Sequence, residues 1–197
     1  MSWLLALYIR LTISQVGTGD AGIAHFNKPE DVKELLDVFY KRGYRQIDTA
    51  SLYPGSEACL GQANAASRFV IHTKVHSGPP GAHEADKVKA SIEKSLAELK
   101  TEQVETMFLH IPDRQTPFEE VAKAMDAAAK EGAFKKFGLS NYAPNEVEEF
   151  VNVCQKHGYI VPSVYQGVYN ALVRGGEEAL FPLLRKHNMS FFAYRSV

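Results

Sequence analysis

The sequence predicts an α/β fold, a (β/α)8 barrel of the TIM type that is incomplete at its carboxyl end, with about seven βα units. Three observations lead there. Apolar strand-like runs alternate with helical patterns along the whole chain, and no strand-turn-strand hairpin signal interrupts them. Nearly every strand-like run finishes in polar or ionisable residues, namely Asp48, Lys74, His110, Ser140-Asn141, Gln166 and Tyr194. A site assembled from many strand ends marks a barrel. An open doubly wound sheet is the competing architecture, but no GxGxxG dinucleotide fingerprint follows the first strand.

Seven strand candidates begin at about residues 13, 45, 69, 104, 135, 161 and 190. After the first, Asn27 caps a helix with Glu30 in reply, Val32, Leu35, Leu36 and Phe39 form its apolar stripe, and Gly43 stops it. Tyr44 to Ile47 delivers Asp48. Pro54-Gly55-Ser56 turns into a short helix, Glu57 to Ala66, and Phe69 to Val75 is the next strand. The stretch from His76 to His83, with two Pro and two Gly, is an irregular loop. Val88, Ile92, Leu96 and Leu99 mark a helix, and Val104 to His110 a strand. Thr116-Pro117-Phe118-Glu119 reads as a second capping box, with Pro at the first helical position, and that helix ends at Gly132. Phe134 to Leu139, Ile160 to Gln166 and Ser190 to Tyr194 complete the strands. Pro144 to His157 and Glu177 to His187 are the helices between them.

Composition narrows the function. The 197 residues suit one domain, assigned to residues 15–197, behind an atypical apolar segment, residues 1–14. Lys+Arg 22 against Asp+Glu 23 leave a net charge of -1 with no long basic run, so nucleic acid is not the expected partner. The two cysteines, Cys59 and Cys154, suit neither a disulfide framework nor a zinc site, and no metal is expected. The opening run Trp3 to Ile9 is too short to span a bilayer, has no basic residue before it, and lacks a clear cleavage site. No membrane association and a cytoplasmic location are the expectation.

Three strand ends, at Asp48, Lys74 and His110, carry ionisable groups, and the loop after the first adds Tyr53. Each alone has an ordinary reading: a turn aspartate, a solvated lysine, a packed tyrosine or histidine. Together they make a proton-transfer site. His25, His72, His76, His83, His157 and His187 have no partner pattern and read as structural or exposed.

The chain resembles the aldo-keto reductases. The resemblance is carried by Ile47-Asp48-Thr49-Ala50 with Tyr53, by Thr73-Lys74 and Leu109-His110, and by Gly138-Leu139-Ser140-Asn141-Tyr142 with Gln166. Five separated motifs in the right order are far more specific than one. Tyr165-Gln166-Gly167-Val168-Tyr169-Asn170 and Leu180-Phe181-Pro182 are similar to the aflatoxin-aldehyde and succinic-semialdehyde reductase branch. The resemblance runs from about Gly17 to Tyr194, with Ile13 to Thr18 as the opening strand.

The resemblance implies NADPH-dependent reduction of aldehydes or ketones. Tyr53 would be the general acid, its pKa lowered by Lys74, with Asp48 holding Lys74 and His110 orienting a small carbonyl substrate. It implies that Ser140, Asn141 and Gln166 bind the nicotinamide carboxamide and that Tyr194 stacks on the ring. The family continues past the seventh strand with an eighth and with phosphate-gripping loops, whereas this sequence ends in Arg195-Ser196-Val197. The chain therefore reads as a truncated barrel. Its open edge is expected to favour a homodimer or other self-association, with an inactive or weakly active binding protein as the alternative function.

Overall fold

A computed structural model describes residues 11–12 and 28–195. Its seven strands form one parallel sheet in sequential order: β1 (Leu11–Thr12), β2 (Gln46–Asp48), β3 (Val70–Val75), β4 (Val104–Leu109), β5 (Phe134–Ser140), β6 (Val164–Val168) and β7 (Ser190–Tyr194). Six α-helices lie between them: α1 (Pro29–Lys41), α2 (Ser56–Gln62), α3 (Ala85–Leu99), α4 (Phe118–Lys130), α5 (Pro144–His157) and α6 (Leu180–Lys186). Among the described residues, β1 and β7 are the sheet's two edges. The architecture is that of an incomplete (β/α)8 barrel.

Side-chain contacts show that the sheet curls. Adjacent strands lie ~4.8 Å apart, so a flat sheet would separate β2 from β6 by roughly 19 Å. Yet Gln166 Nε2 on β6 is 2.9 Å from Asp48 Oδ1 on β2. Phe192 on β7 meets His72 on β3 edge-on, with ring centroids 5.8 Å apart. Strand alternation divides the residues between two faces. Met107, Leu109, Phe137 and Leu139 join the apolar layer under the helices, while Asp48, His72, Lys74, Thr106, Phe108, Gln166 and Phe192 face the concave interior. Strands β3 and β4 are buried on both faces along nearly their whole length.

Gly138 faces the interior where Phe108 leans across: a Cβ there would stand 2.3 Å from that ring. The loops above the sheet are tied by Asp113. Its carboxylate accepts the backbone N–H groups of Gly81, His83 and Gln115 and the Thr116 hydroxyl, at 2.7–3.2 Å. These bonds hold the Asp113 carboxyl well below the usual range against the opposing effect of its burial.

Several sequence expectations need correction. Among the described residues the first strand is Leu11–Thr12, and residues 13–27, with the expected Ile13 to Thr18 strand, the expected Asn27 cap and His25, lie outside the described residues, as does the Trp3 to Ile9 segment. Helix α1 has Lys28 at its N-cap, with no side-chain cap bond. Helix α4 starts one residue later than expected, with Pro117 at the N-cap. Thr116 does not cap it, because its hydroxyl donates to Asp113. Strand β6 starts at Val164, not Ile160, since Pro162 lacks an N–H for the ladder. Helix α6 begins at Leu180, and Glu177 instead takes Arg174 and the Tyr169 hydroxyl as partners. Helix α5 and strand β7 match their expected bounds. Among the described residues no helix is long and apolar enough to cross a membrane.

Helices α2 and α3 touch at Gly61, where an added Cβ would sit 2.0 Å from the Glu98 carbonyl oxygen. Backbone cannot retreat as a side-chain tip can. Gly61→Ala is therefore expected to cost ~1–3 kcal/mol or more and to lower Tm by several degrees. Gly175→Ala, in open space, serves as the matched control. Equal melting temperatures for the two variants would contradict the close α2–α3 contact.

Candidate functional site

Parallel register brings the ionisable strand ends together. Asp48 pairs with His72 across β2 and β3, and Lys74 lies two residues beyond His72 on the same face. Lys74 is fully buried and Asp48 nearly so. Lys74 Nζ donates to Asp48 Oδ2 at 2.7 Å and to the Thr49 carbonyl at 2.7 Å. The other carboxylate oxygen accepts from Gln166. A buried ion pair survives only when such extra hydrogen bonds offset desolvation.

The loop after β2 stays attached to β3, because Ser51 N–H donates to the Lys74 carbonyl. Tyr53 N–H turns back to the Ala50 carbonyl at 3.0 Å, and Thr49 and Ser56 hydroxyls meet at 2.8 Å. The turn sets the Tyr53 ring 5.4 Å from Lys74 Nζ and edge-on to the His110 ring, with centroids 5.7 Å apart. One expectation reverses here. The Tyr53 phenol is pushed up to about 12, not down. Burial is the main cause, and the Asp48 charge and Tyr194 add to it, while Asp48 sits against the very lysine expected to favour the phenolate. The phenol therefore holds its proton at neutral pH.

His110 is brought down to about 4, first by burial and then by the charge on Lys74, against the pull of Asp48. It is a neutral imidazole at neutral pH, and its Nδ1 is buried with no hydrogen-bond partner among the described residues.

A second group borders the first. Asn141 adopts a left-handed conformation, φ 65°, which asparagine tolerates better than most residues. Its Nδ2 donates to the His110 carbonyl at 2.9 Å and to Ser140 Oγ at 3.0 Å. Its Oδ1 accepts the Tyr194 hydroxyl at 2.9 Å. All eight sequence-predicted site residues thus gather at one end of the sheet: Asp48, Lys74 and Gln166 in one cluster, Ser140, Asn141 and Tyr194 in another, Tyr53 and His110 between. The other histidines stand apart: His72 is bonded to Thr106 and His83 to Ser77, His76 and His157 are exposed, and His187 is half-buried.

Sequence reasoning missed two features. Beyond the cofactor role expected of Gln166, its Nε2 steadies Asp48 at 2.9 Å. Glu57, at the start of α2, is buried between the hydroxyls of Thr73 and Ser95 and ties the Tyr53 turn to the strand carrying Lys74. The only available signal for Glu57 was its apparent place on a helix flank, which says nothing about burial.

A profile described as the aldo/keto reductase family matches residues 15–197. The chain belongs to the aldo/keto reductase family. Among curated relatives it is similar to aflatoxin B1 aldehyde reductase member 2 of Homo sapiens, 39% identical over 163 residues, covering 79% of this chain and 45% of that protein. It is also similar to an aldo-keto reductase of Pseudocercospora fijiensis, 36% identical over 167 residues, covering 81% and 56%. The oxidoreductase sirO of Leptosphaeria maculans is 36% identical over 188 residues, covering 88% and 57%. The chain spans about half the length of these relatives.

Burial of His110 and His83, both brought down to about 4, carries a pH signature. Unfolded histidine binds a proton below ~6.5, whereas the folded chain resists until about 4. The unfolded state therefore binds more protons in that window, and stability is present above ~6.5 and lost as pH falls towards 4. Melting curves from pH 8 to pH 4 should be flat above ~6.5 and decline below it. Imidazole NMR shifts of His110 should titrate near 4; a midpoint at the ordinary histidine value would contradict its burial.

Proposed function

We propose that the chain carries the proton-transfer centre of an NADPH-dependent reductase that converts aldehydes or ketones to alcohols. The observation that carries this reading is the buried Lys74–Asp48 pair lying beside a phenol and a neutral imidazole. Family membership and the relatives' aldehyde reductase names support the same chemistry. No side chain donates hydride, and a reduced nicotinamide would supply it.

The residues present fit that group. Ser140 and Asn141 place hydroxyl and amide functions at one strand end, the chemistry a carboxamide needs. Tyr194 offers a part-exposed ring beside them, and Gln166 adds an amide one strand away. Tyr53 Oη would give its proton to the carbonyl oxygen as the carbonyl carbon is reduced, leaving an alcohol and a phenolate. Lys74 stabilises that phenolate only once it forms, because in the resting site burial and Asp48 favour the phenol. An un-ionised Tyr53 with a cation close by is the arrangement a general acid requires. His110, with Nδ1 unpartnered, would carry its proton on Nε2 and orient the carbonyl by donating it. Asp48 and Gln166 hold Lys74 in place. The free thiols, Cys59 and Cys154, agree with a cytoplasmic setting.

NADPH oxidation in the presence of 2-carboxybenzaldehyde or succinic semialdehyde tests the reading. Tyr53→Phe should reduce turnover by ~10²–10⁴-fold with an unchanged circular dichroism spectrum. An undiminished rate in that variant would remove Tyr53 from the mechanism. Saturable NADPH binding without turnover would favour the binding role instead. Lys74→Met should also inactivate, but as a folding defect of about 3–5 kcal/mol, because it leaves Asp48 buried without its cation.

A further inference from the structure

A cavity of about 450 Å³ lies outside the site described above, between the loop that follows β3, Ser51 in the loop that follows β2, and the face of α3 that carries Lys87 to Lys94. None of Asp48, Tyr53, Lys74 or His110 lines it. Pro79, Pro80, Ala82 and Ala90 supply apolar walls. Among the described residues its charged lining is of one sign, Lys87 and Lys94, with no carboxylate. Volume, apolar walls and a few polar groups match the pattern of small-molecule sites.

The polar groups converge. Ser51 Oγ is buried with no hydrogen-bond partner among the described residues. Such a group costs free energy unless something meets it. Ser91 Oγ accepts the His76 N–H at 2.8 Å, and a hydroxyl that accepts still has its own proton to give. Lys87 and Lys94 stand seven residues apart on α3, two helical turns or ~10 Å along one face. Lys87 is paired with Glu84 at 3.1 Å and bonded to the Gly81 carbonyl, and Lys94 is paired with Glu98 at 3.7 Å. Both lysines are more than half exposed, so exchanging these pairs for a ligand's charge costs little.

We propose that this cavity is a second ligand site that takes an organic anion, an apolar body bearing one carboxylate. The body lies against the two prolines and two alanines. The carboxylate lies where the Ser51 and Ser91 hydroxyls and a lysine ammonium can reach it. The site shares a wall with the catalytic loop, since Ser51 is two residues before Tyr53 and its N–H is bonded to the Lys74 carbonyl. It stands whether or not Tyr53 proves to be an acid.

Octanoate is the probe, with 1-octanol as its uncharged counterpart. In the full chain labelled at alanine methyls, octanoate should shift the Ala82 and Ala90 signals saturably and more strongly than that of Ala50, next to the catalytic residues. Calorimetry should show octanoate weakened about tenfold or more in the double variant Lys87→Gln, Lys94→Gln, the loss expected for a charge-assisted bond. These two positions are exposed, so folding is retained. Ala90→Trp should abolish binding by filling the space. Shifts at Ala50 with none at Ala82 or Ala90 would place the ligand at the barrel end and overturn the proposal. So would equal binding of octanol and octanoate, indifference to the lysine double variant, or no saturable shift at all.

Discussion

The buried contact between Lys74 and Asp48 is the constraint around which the upper end of this molecule is arranged. Two full charges out of water are tolerable only when every remaining donor and acceptor is met. The chain meets them from two strands: the Thr49 carbonyl just after β2, the Asp48 carboxylate at the end of β2, and Gln166 from β6. The curl of the sheet is thereby coupled to the electrostatics of its mouth. A flatter sheet would withdraw Gln166 and leave a carboxylate oxygen without its amide.

The same pair adds to what burial does to its neighbours. The Lys74 charge lowers the affinity of His110 for a proton, and the Asp48 charge raises that of Tyr53. One ion pair thus pushes an imidazole and a phenol towards their neutral forms. Burial pushes both the same way, so the centre rests without a third charge. That neutrality suits the proposed reaction, in which charge would appear only at the moment of proton transfer.

Much of this was legible in the sequence. Parallel strands buried on both faces produce apolar runs that end abruptly, so Asp48, Lys74 and His110 stood out at their termini. Helix α5 was visible from Pro144 and from the helical spacing of Val147, Phe150, Val151 and Cys154. Tertiary competition hid the rest. Thr116 had the look of a cap, but Asp113 offered its hydroxyl a better acceptor. Ile160 and Val161 continued an apolar run, but Pro162 kept the ladder from forming until Val164. The direction of the Tyr53 shift depends on how deeply its ring is buried, which strand-end spacing does not encode. Nor does any local pattern link Gln166 to Asp48, which are 118 residues apart.

That separation sets an order of events during folding. The Asp48–Lys74 contact closes a segment of 26 residues, and β2 with β3 is enough to make it. The Gln166 contact must wait until β4, β5 and β6 have been laid down in turn, because each strand pairs only with its neighbour in the chain. Loop closure grows more costly with the length enclosed, and contacts of high sequence separation form late. During synthesis the carboxylate therefore acquires its lysine well before its amide. Between those two moments water can meet that oxygen in an arc that has not yet curled shut, and the arrival of β6 both completes the curve and puts the Gln166 amide in the water's place.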